Sequence, residues 1–339
     1  MAAVRLRLLG QGVEVSMATP AIPNQVLPAG ASSFNLDLAN YFQVDGITGS
    51  LVKLSTNAKG KSNALFVELF DVPSSAANRT TPLTAANFLS YTESGAYNGM
   101  LLHRLEPGFV LQGGGFKLPT RAGVAPAAIA QGPVVPNEPG NSNIRGTLAM
   151  AKLSSDPNSA TNQFFFNLAN NSANLNVQNG GFTVFGRLVG NSLALLDRLA
   201  ATSVFNAGGV FDRLPLQRYR PAKPGSDQQP IQPSNFLAIS SAVRSAAFAY
   251  RVKAKGASSV VDPISGALEL RWTTPPSKAT NVSVKATSLL DPKQRYRTSF
   301  QVLPAPLSEP FSTPQLQALA PAASDDPLIR QTVLTDLIA

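Results

Sequence analysis

The chain has 339 residues, 44% of them hydrophobic, with 27 prolines, 25 glycines and a formal charge of +9. This length favours two domains, and the proline and glycine content favours many short strands and turns over long helices. No cysteine and a single histidine exclude a disulfide framework, a thiol nucleophile, cysteine-bound zinc and any multi-histidine metal site. The basic excess is uneven: residues 204–303 carry 14 basic against 5 acidic side chains, whereas residues 1–203 net +3 and residues 304–339 net −3. Such a region can dock an acidic partner. Its cations are not interleaved with aromatic rings as a stacking platform requires, so no nucleic acid is expected. No apolar run reaches the roughly 18 residues of a membrane-spanning helix, so none is expected.

Residues 1–22 read as a flexible N-terminus. Two arginines precede a short apolar patch there, but Gln11 and Glu14 interrupt it, so no secretory signal is expected and the compartment stays open. A turn at Pro28-Ala29-Gly30 separates a short extended piece from a strand in which Phe34, Leu36 and Leu38 share one face. Leu51 to Leu54 and Ala64 to Phe70 read as paired strands. Thr81-Pro82 opens a helix, with threonine as cap, Ala85, Phe88, Leu89 and Thr92 on one face, and Gly95 as stop.

The stretch Leu102 to Phe116, LHRLEPGFVLQGGGF, carries the most information. Proline pre-sets one central turn position and glycine tolerates the positive φ of the next, so Glu106-Pro107-Gly108-Phe109 predicts a hairpin turn. That hairpin brings Arg104 near Gln112, beside the ring of Phe109. Gly113-Gly114-Gly115 lacks the spacing of a phosphate or dinucleotide loop and reads as close backbone packing.

A second helix follows Asn191, with Leu193, Leu196 and Leu199 inward. Residues 204–234 read as a long surface excursion before the strand Phe236 to Val243. Four alternating runs come next, at Phe248-Tyr250-Val252, Leu268-Leu270-Trp272, Val282-Val284-Ala286 and Phe300-Val302, spaced as in an antiparallel β-sandwich. Residues 304–339 read as a proline-rich tail, with a short helix expected at Leu328 to Ile338.

The order of HR, PGF and QGG within residues 102–116, then GTLAMAK with SATNQFFFNL (146–168), then FTVFGRLV (182–189), resembles the cyclophilins, the peptidyl-prolyl cis-trans isomerases. The resemblance covers about residues 50–243. It implies a mainly β fold: an eight-stranded antiparallel barrel with two capping helices. The flanks, residues 23–49 and 244–303, have too few strands separately for a sandwich. They weakly resemble immunoglobulin- and cadherin-like modules, and are expected to form one split immunoglobulin-like sandwich around the isomerase. Such a module favours an extracytoplasmic setting without establishing one.

The isomerase reading needs no nucleophile, base, metal or cofactor, because no bond is broken. When the X-Pro bond is twisted, the proline nitrogen regains a lone pair that a permanently charged guanidinium can bind. By resemblance Arg104, Phe109 and Gln112 are catalytic. Phe109, Val110, Phe165 and Leu175 form the proline slot with Phe182 beside it, Gln112 and Gln163 bond the peptide, and Ala151-Lys152-Leu153 receives its backbone. Phe164 is expected in the core, and His103 in a structural role. Val110, Asn174 and Phe182 stand where relatives often carry methionine, tryptophan and histidine, which puts cyclosporin-type binding in doubt. The expected partners are proline-containing peptides and unfolded proteins. A proline-peptide binding, chaperone or adhesion module with little turnover is the alternative.

Overall fold

Strand pairing with a buried alternate face builds most of the chain, and in the computed structural model it produces a closed barrel, two further sheets and a short two-stranded pair. The structure describes residues 20–305 except 45, 61–62, 74–77 and 222–228. The expectations for the extreme N-terminus and for the C-terminal tail with its helix therefore lie largely outside the described residues.

The first two strands, β1 (Gln25–Leu27) and β2 (Ser33–Asp37), flank the predicted turn. Leu38 leaves the strand for a 3-10 turn, where the Asp37 carboxylate accepts the Ala39 amide at 2.9 Å. Next come β3 (Leu51–Thr56), β4 (Ala64–Leu69), α1 (Pro82–Glu93), β5 (Met100–Glu106) and β6 (Val110–Lys117). They are followed by β7 (Thr147–Met150), β8 (Phe164–Asn167), the single turn α2 (Ser172–Leu175), β9 (Val184–Val189), α3 (Ser192–Ala200) and, further on, β12 (Ala238–Ser245). The eight strands β12-β3-β4-β9-β7-β8-β6-β5 close into an antiparallel barrel, β12 pairing with both β3 and β5. Closure removes the sheet edges, and Val52, Leu54, Val67, Leu102, Phe164 and Phe185 fill the interior.

Both longer helices pack on this core. In α1 the buried residues include the expected Ala85, Phe88, Leu89 and Thr92, and Gly95, at φ +72°, follows the cap residue Ser94. The start of α1 differs from expectation. Thr81 makes no side-chain cap bond, and its hydroxyl is buried without a partner. The Glu138 carboxylate instead accepts the amides of Leu83 and Thr84 at 3.3 and 2.8 Å, meeting the orphan donors of the first turn from a distant loop. In α3, Leu195, Leu196 and Leu199 are buried whereas Leu193 is only half-buried.

The segment after α3 is not a bare surface excursion. A short pair, β10 (Val204–Phe205) and β11 (Leu214–Pro215), lies against β5. Leu214 and Leu216 are buried in a small cluster with Leu101 and Phe236.

The flanking regions pair with each other. β2 runs antiparallel to β15 (Ala267–Arg271), with Leu36 opposite Leu268, and β1 runs parallel to β17 (Arg295–Pro304). With β13 (Phe248–Ala254), β14 (Ser258–Val261) and β16 (Thr280–Ser288) added, the sheets are β1-β17-β16-β13 and β14-β15-β2. β14 is a strand beyond the four expected, its serines and valines giving little apolar contrast. Leu27, Leu38, Phe248, Leu270, Val284 and Phe300 belong to one buried cluster shared by the two sheets. A smaller cluster of Leu51, Phe66, Val189 and Leu290 joins it to the barrel.

Candidate active site

The hairpin β5–β6 positions the central residues. The Phe109 amide donates to the Glu106 carbonyl at 2.9 Å, and Gly108 takes φ +73°, as the Pro-Gly turn demands. Leu102 pairs with Gly113 while Arg104 pairs with the adjacent Gln112, so His103 is an extra residue on its strand. Such a bulge bends the strand and re-aims the side chains beyond it, leaving Arg104 half-exposed and His103 inside. Gly114 sits at φ +88°, where an added Cβ would lie 2.2 Å from the Asn162 carbonyl oxygen, which gives the glycine run its packing role.

Strand alternation sorts the three phenylalanines of β8. Phe164 and Phe166 enter the barrel core, while Phe165 joins Val110 and Leu175 in a separate apolar cluster with half-buried Phe109, Ala151 and Phe182. Phe165 and Phe182 meet edge to face at 5.8 Å between centroids. All the predicted slot residues thus come together. Gln112 lies opposite Phe165, and its side-chain amide donates to the Gln163 side-chain oxygen at 2.8 Å.

The edge segment is partly committed to its own fold. The Ala151 amide donates to the Gln163 carbonyl at 2.9 Å, and the Leu153 amide to the Ser159 hydroxyl at 2.8 Å. The Lys152 ammonium donates to the Asn179 and Gly181 carbonyls at 2.8 and 2.7 Å and stands 4.9 Å from the Phe182 ring centre. Burial lowers its pKa. The Leu153 side chain is exposed.

Arg104 has an ionic neighbour. Its guanidinium contacts one oxygen of Glu106 at 3.0 Å, and the other oxygen contacts the guanidinium of Arg213 at 3.1 Å. His103 is buried, with Nδ1 unpartnered, and forms a T-shaped pair with Phe116 at 5.0 Å between centroids. Burial, assisted by the Arg104 charge, lowers its pKa to about 4.

Sequence reasoning missed an asparagine network behind the slot. Asn171 donates to the Phe109 carbonyl at 2.9 Å and to Asn167 at 2.8 Å. Asn167 donates to Asn143, which donates to Asn176 and to the Phe182 carbonyl at 3.1 and 3.2 Å. Each asparagine in isolation looks like loop polarity. Only the fold shows that Asn171, Asn167 and Asn143 tie the Phe109 turn to the Phe182 segment, with Asn176 bonded to the last of them.

Residues 68–220 match the family described as cyclophilin type peptidyl-prolyl cis-trans isomerase/CLD. A peptidyl-prolyl cis-trans isomerase of Acinetobacter baylyi is 35% identical over 178 residues, 50% of this chain and 82% of the relative. Peptidyl-prolyl cis-trans isomerase B of Escherichia coli is 35% identical over 133 residues, 38% of this chain and 76% of the relative. A crystal structure of a cyclophilin type peptidyl-prolyl cis-trans isomerase from Cryptosporidium parvum aligns over 58% of this chain and 98% of its own, at a TM-score of 0.39 and 22% identity. The chain belongs to the cyclophilin-type peptidyl-prolyl cis-trans isomerases, the enzyme class EC 5.2.1.8. The flanking sheets lie outside the matched segment.

Proposed function

We propose that the chain accelerates cis-trans exchange at X-Pro bonds of folding polypeptides, with Arg104 donating to the proline nitrogen as the bond twists. The barrier arises from amide resonance and stands at about 18–20 kcal/mol. Lowering it requires a group that binds the twisted state better than either planar one. The observation carrying this reading is that one hairpin bears Arg104, paired with Gln112 across it, together with Phe109 and Val110 of the apolar cluster. Phe109, Val110, Phe165, Leu175 and Phe182 hold the proline ring, Gln112 and Gln163 bond the acyl side, and the 151–153 edge lies along the peptide. Exchange NMR on a proline peptide tests it. Arg104→Ala should lower kcat/KM by at least about tenfold, or about 1.4 kcal/mol, and a folded, fully active variant would sink the assignment.

The Glu106 carboxylate on Arg104 favours a second reading, a proline-peptide binding, chaperone or adhesion module whose guanidinium is too occupied to drive turnover. The same assay separates the two, since this reading expects binding without acceleration.

We also propose that residues 23–49 and 244–303 are one immunoglobulin-like unit interrupted by the isomerase of residues 50–243. The pairing of β2 with β15 and the common buried cluster support it. Its outer face suits an acidic polypeptide: Arg251, Lys285 and Arg297 stand directly opposite one another across β13, β16 and β17, and none is paired with a carboxylate among the described residues. Like charges in opposed register are unfavourable without a counter-anion. Replacing all three by serine should abolish binding of polyglutamate at low salt, and unchanged binding would refute this docking face.

A further inference from the structure

We infer that Glu106 and Arg213 are positioning residues for the Arg104 guanidinium, a role supplied from outside the slot by the segment that comes after α3. The inference rests on Arg104 being the group that binds the twisted bond. An arginine side chain is long, and fixing it costs rotamer entropy. Arg104 is half-exposed, so packing alone does not hold it.

Alternation along β5 places Arg104 and Glu106 on the same face of the strand, and the two side chains meet at 3.0 Å. A lone carboxylate there would hold the guanidinium but also cancel its charge, which is what the twisted bond needs. Arg213 resolves the conflict. It takes the second Glu106 oxygen at 3.1 Å, so one carboxylate is shared between two cations and the trio keeps a net positive charge.

Arg213 is itself held by its backbone. Its carbonyl accepts the Leu105 amide at 2.9 Å, and the next residue, Leu214, is buried. The order of support runs from a buried anchor to Arg213, to Glu106, to Arg104. The three side chains are 36%, 27% and 41% exposed for Arg104, Glu106 and Arg213. Ion pairs this exposed add little to stability, so the arrangement acts on orientation.

The test uses the full chain, with Arg213→Ala, Arg213→Lys and Glu106→Gln beside Arg104→Ala. Two quantities are read: exchange kinetics on a short proline peptide, and the order of the Arg104 Nε–H bond by 15N relaxation. Arg213→Ala and Glu106→Gln should each lower kcat by about threefold to tenfold with little change in KM or melting temperature. Both should loosen the Arg104 Nε–H bond, and Arg213→Lys should recover part of the loss. If Arg104→Ala is inactive while both flanking variants keep wild-type kcat and an equally ordered Nε–H bond, the positioning role is refuted and the assignment of Arg104 stands. If Arg104→Ala is fully active, that assignment fails, and the order of the Nε–H bond alone decides whether Glu106 and Arg213 hold it.

Discussion

The side-chain amide of Gln112 donates to the side-chain oxygen of Gln163 at 2.8 Å, tying β6 to the residue that leads into β8. Gln163 is pressed from the other side as well: a Cβ on Gly115 would lie 2.9 Å from its side-chain amide carbon. The Gln112 side chain therefore has its orientation set within the protein itself. Gln163→Leu should raise KM by about threefold to tenfold with a smaller change in kcat, because it unfixes a binding amide and leaves Arg104 in place. Peptide kinetics check this, and an unchanged KM would remove Gln163 from the binding role.

His103 is the only histidine of the chain, so its imidazole can be followed without assignment. Its pKa is lowered from 6.5 to about 4 by burial. A depressed folded value means that the unfolded chain binds the proton more readily, so the contribution is fully present above pH 6.5 and is lost as pH falls towards 4. The difference amounts to about 3 kcal/mol. Denaturation should show this loss between those limits, and His103→Phe should flatten it. An imidazole that titrates near its ordinary value in the folded protein would show the burial argument to be wrong.

Leu38 is fully buried in the cluster shared by the two flanking sheets. Leu38→Ala should cost roughly 2–5 kcal/mol, as deletion of a buried leucine does. Trp272, the single tryptophan, is buried in the same cluster, so its fluorescence reports that loss. Peptide exchange activity should stay within about twofold of wild type. Collapse of both signals together would mean that the barrel depends on this cluster for its own fold.

Cyclosporin should inhibit weakly. Asn174 is exposed on α2, and the resemblance sets it where many eukaryotic members carry tryptophan, which implies a missing ring face and donor beside the proposed slot. Asn174→Trp should recover affinity by about tenfold, the weight of one good aromatic contact with its hydrogen bond. Tight inhibition of the unaltered chain would show that the position has been misaligned.

The strands, the hairpin and the two longer helices are legible in the sequence because the signals involved are local, whereas the closed barrel and the slot enter only through the resemblance to the cyclophilins. A Pro-Gly turn, a run of glycines and the alternation of Phe164, Phe165 and Phe166 each constrain neighbours in sequence. The features that stay hidden depend on contacts between distant residues. The cap of α1 comes from Glu138, more than fifty residues away, while the adjacent Thr81, which has the right chemistry for a cap, does not serve. Glu106 reads as turn polarity until Arg213 arrives from beyond α3. β14 escapes notice because two serines and two valines give little contrast between its faces.

The pairing of Leu36 with Leu268 has a consequence for how the chain acquires its structure. More than two hundred residues separate the partners, and contacts of such long sequence separation form slowly because a large loop must close first. During synthesis, β1 and β2 emerge long before β15 and β17 exist, so they wait unpaired while the intervening barrel can fold. A folded barrel shortens the loop that remains to be closed. In refolding, Trp272 should therefore reach its native environment only after proline-exchange activity has returned, and the reverse order would show that the flanks find each other across an unfolded insert.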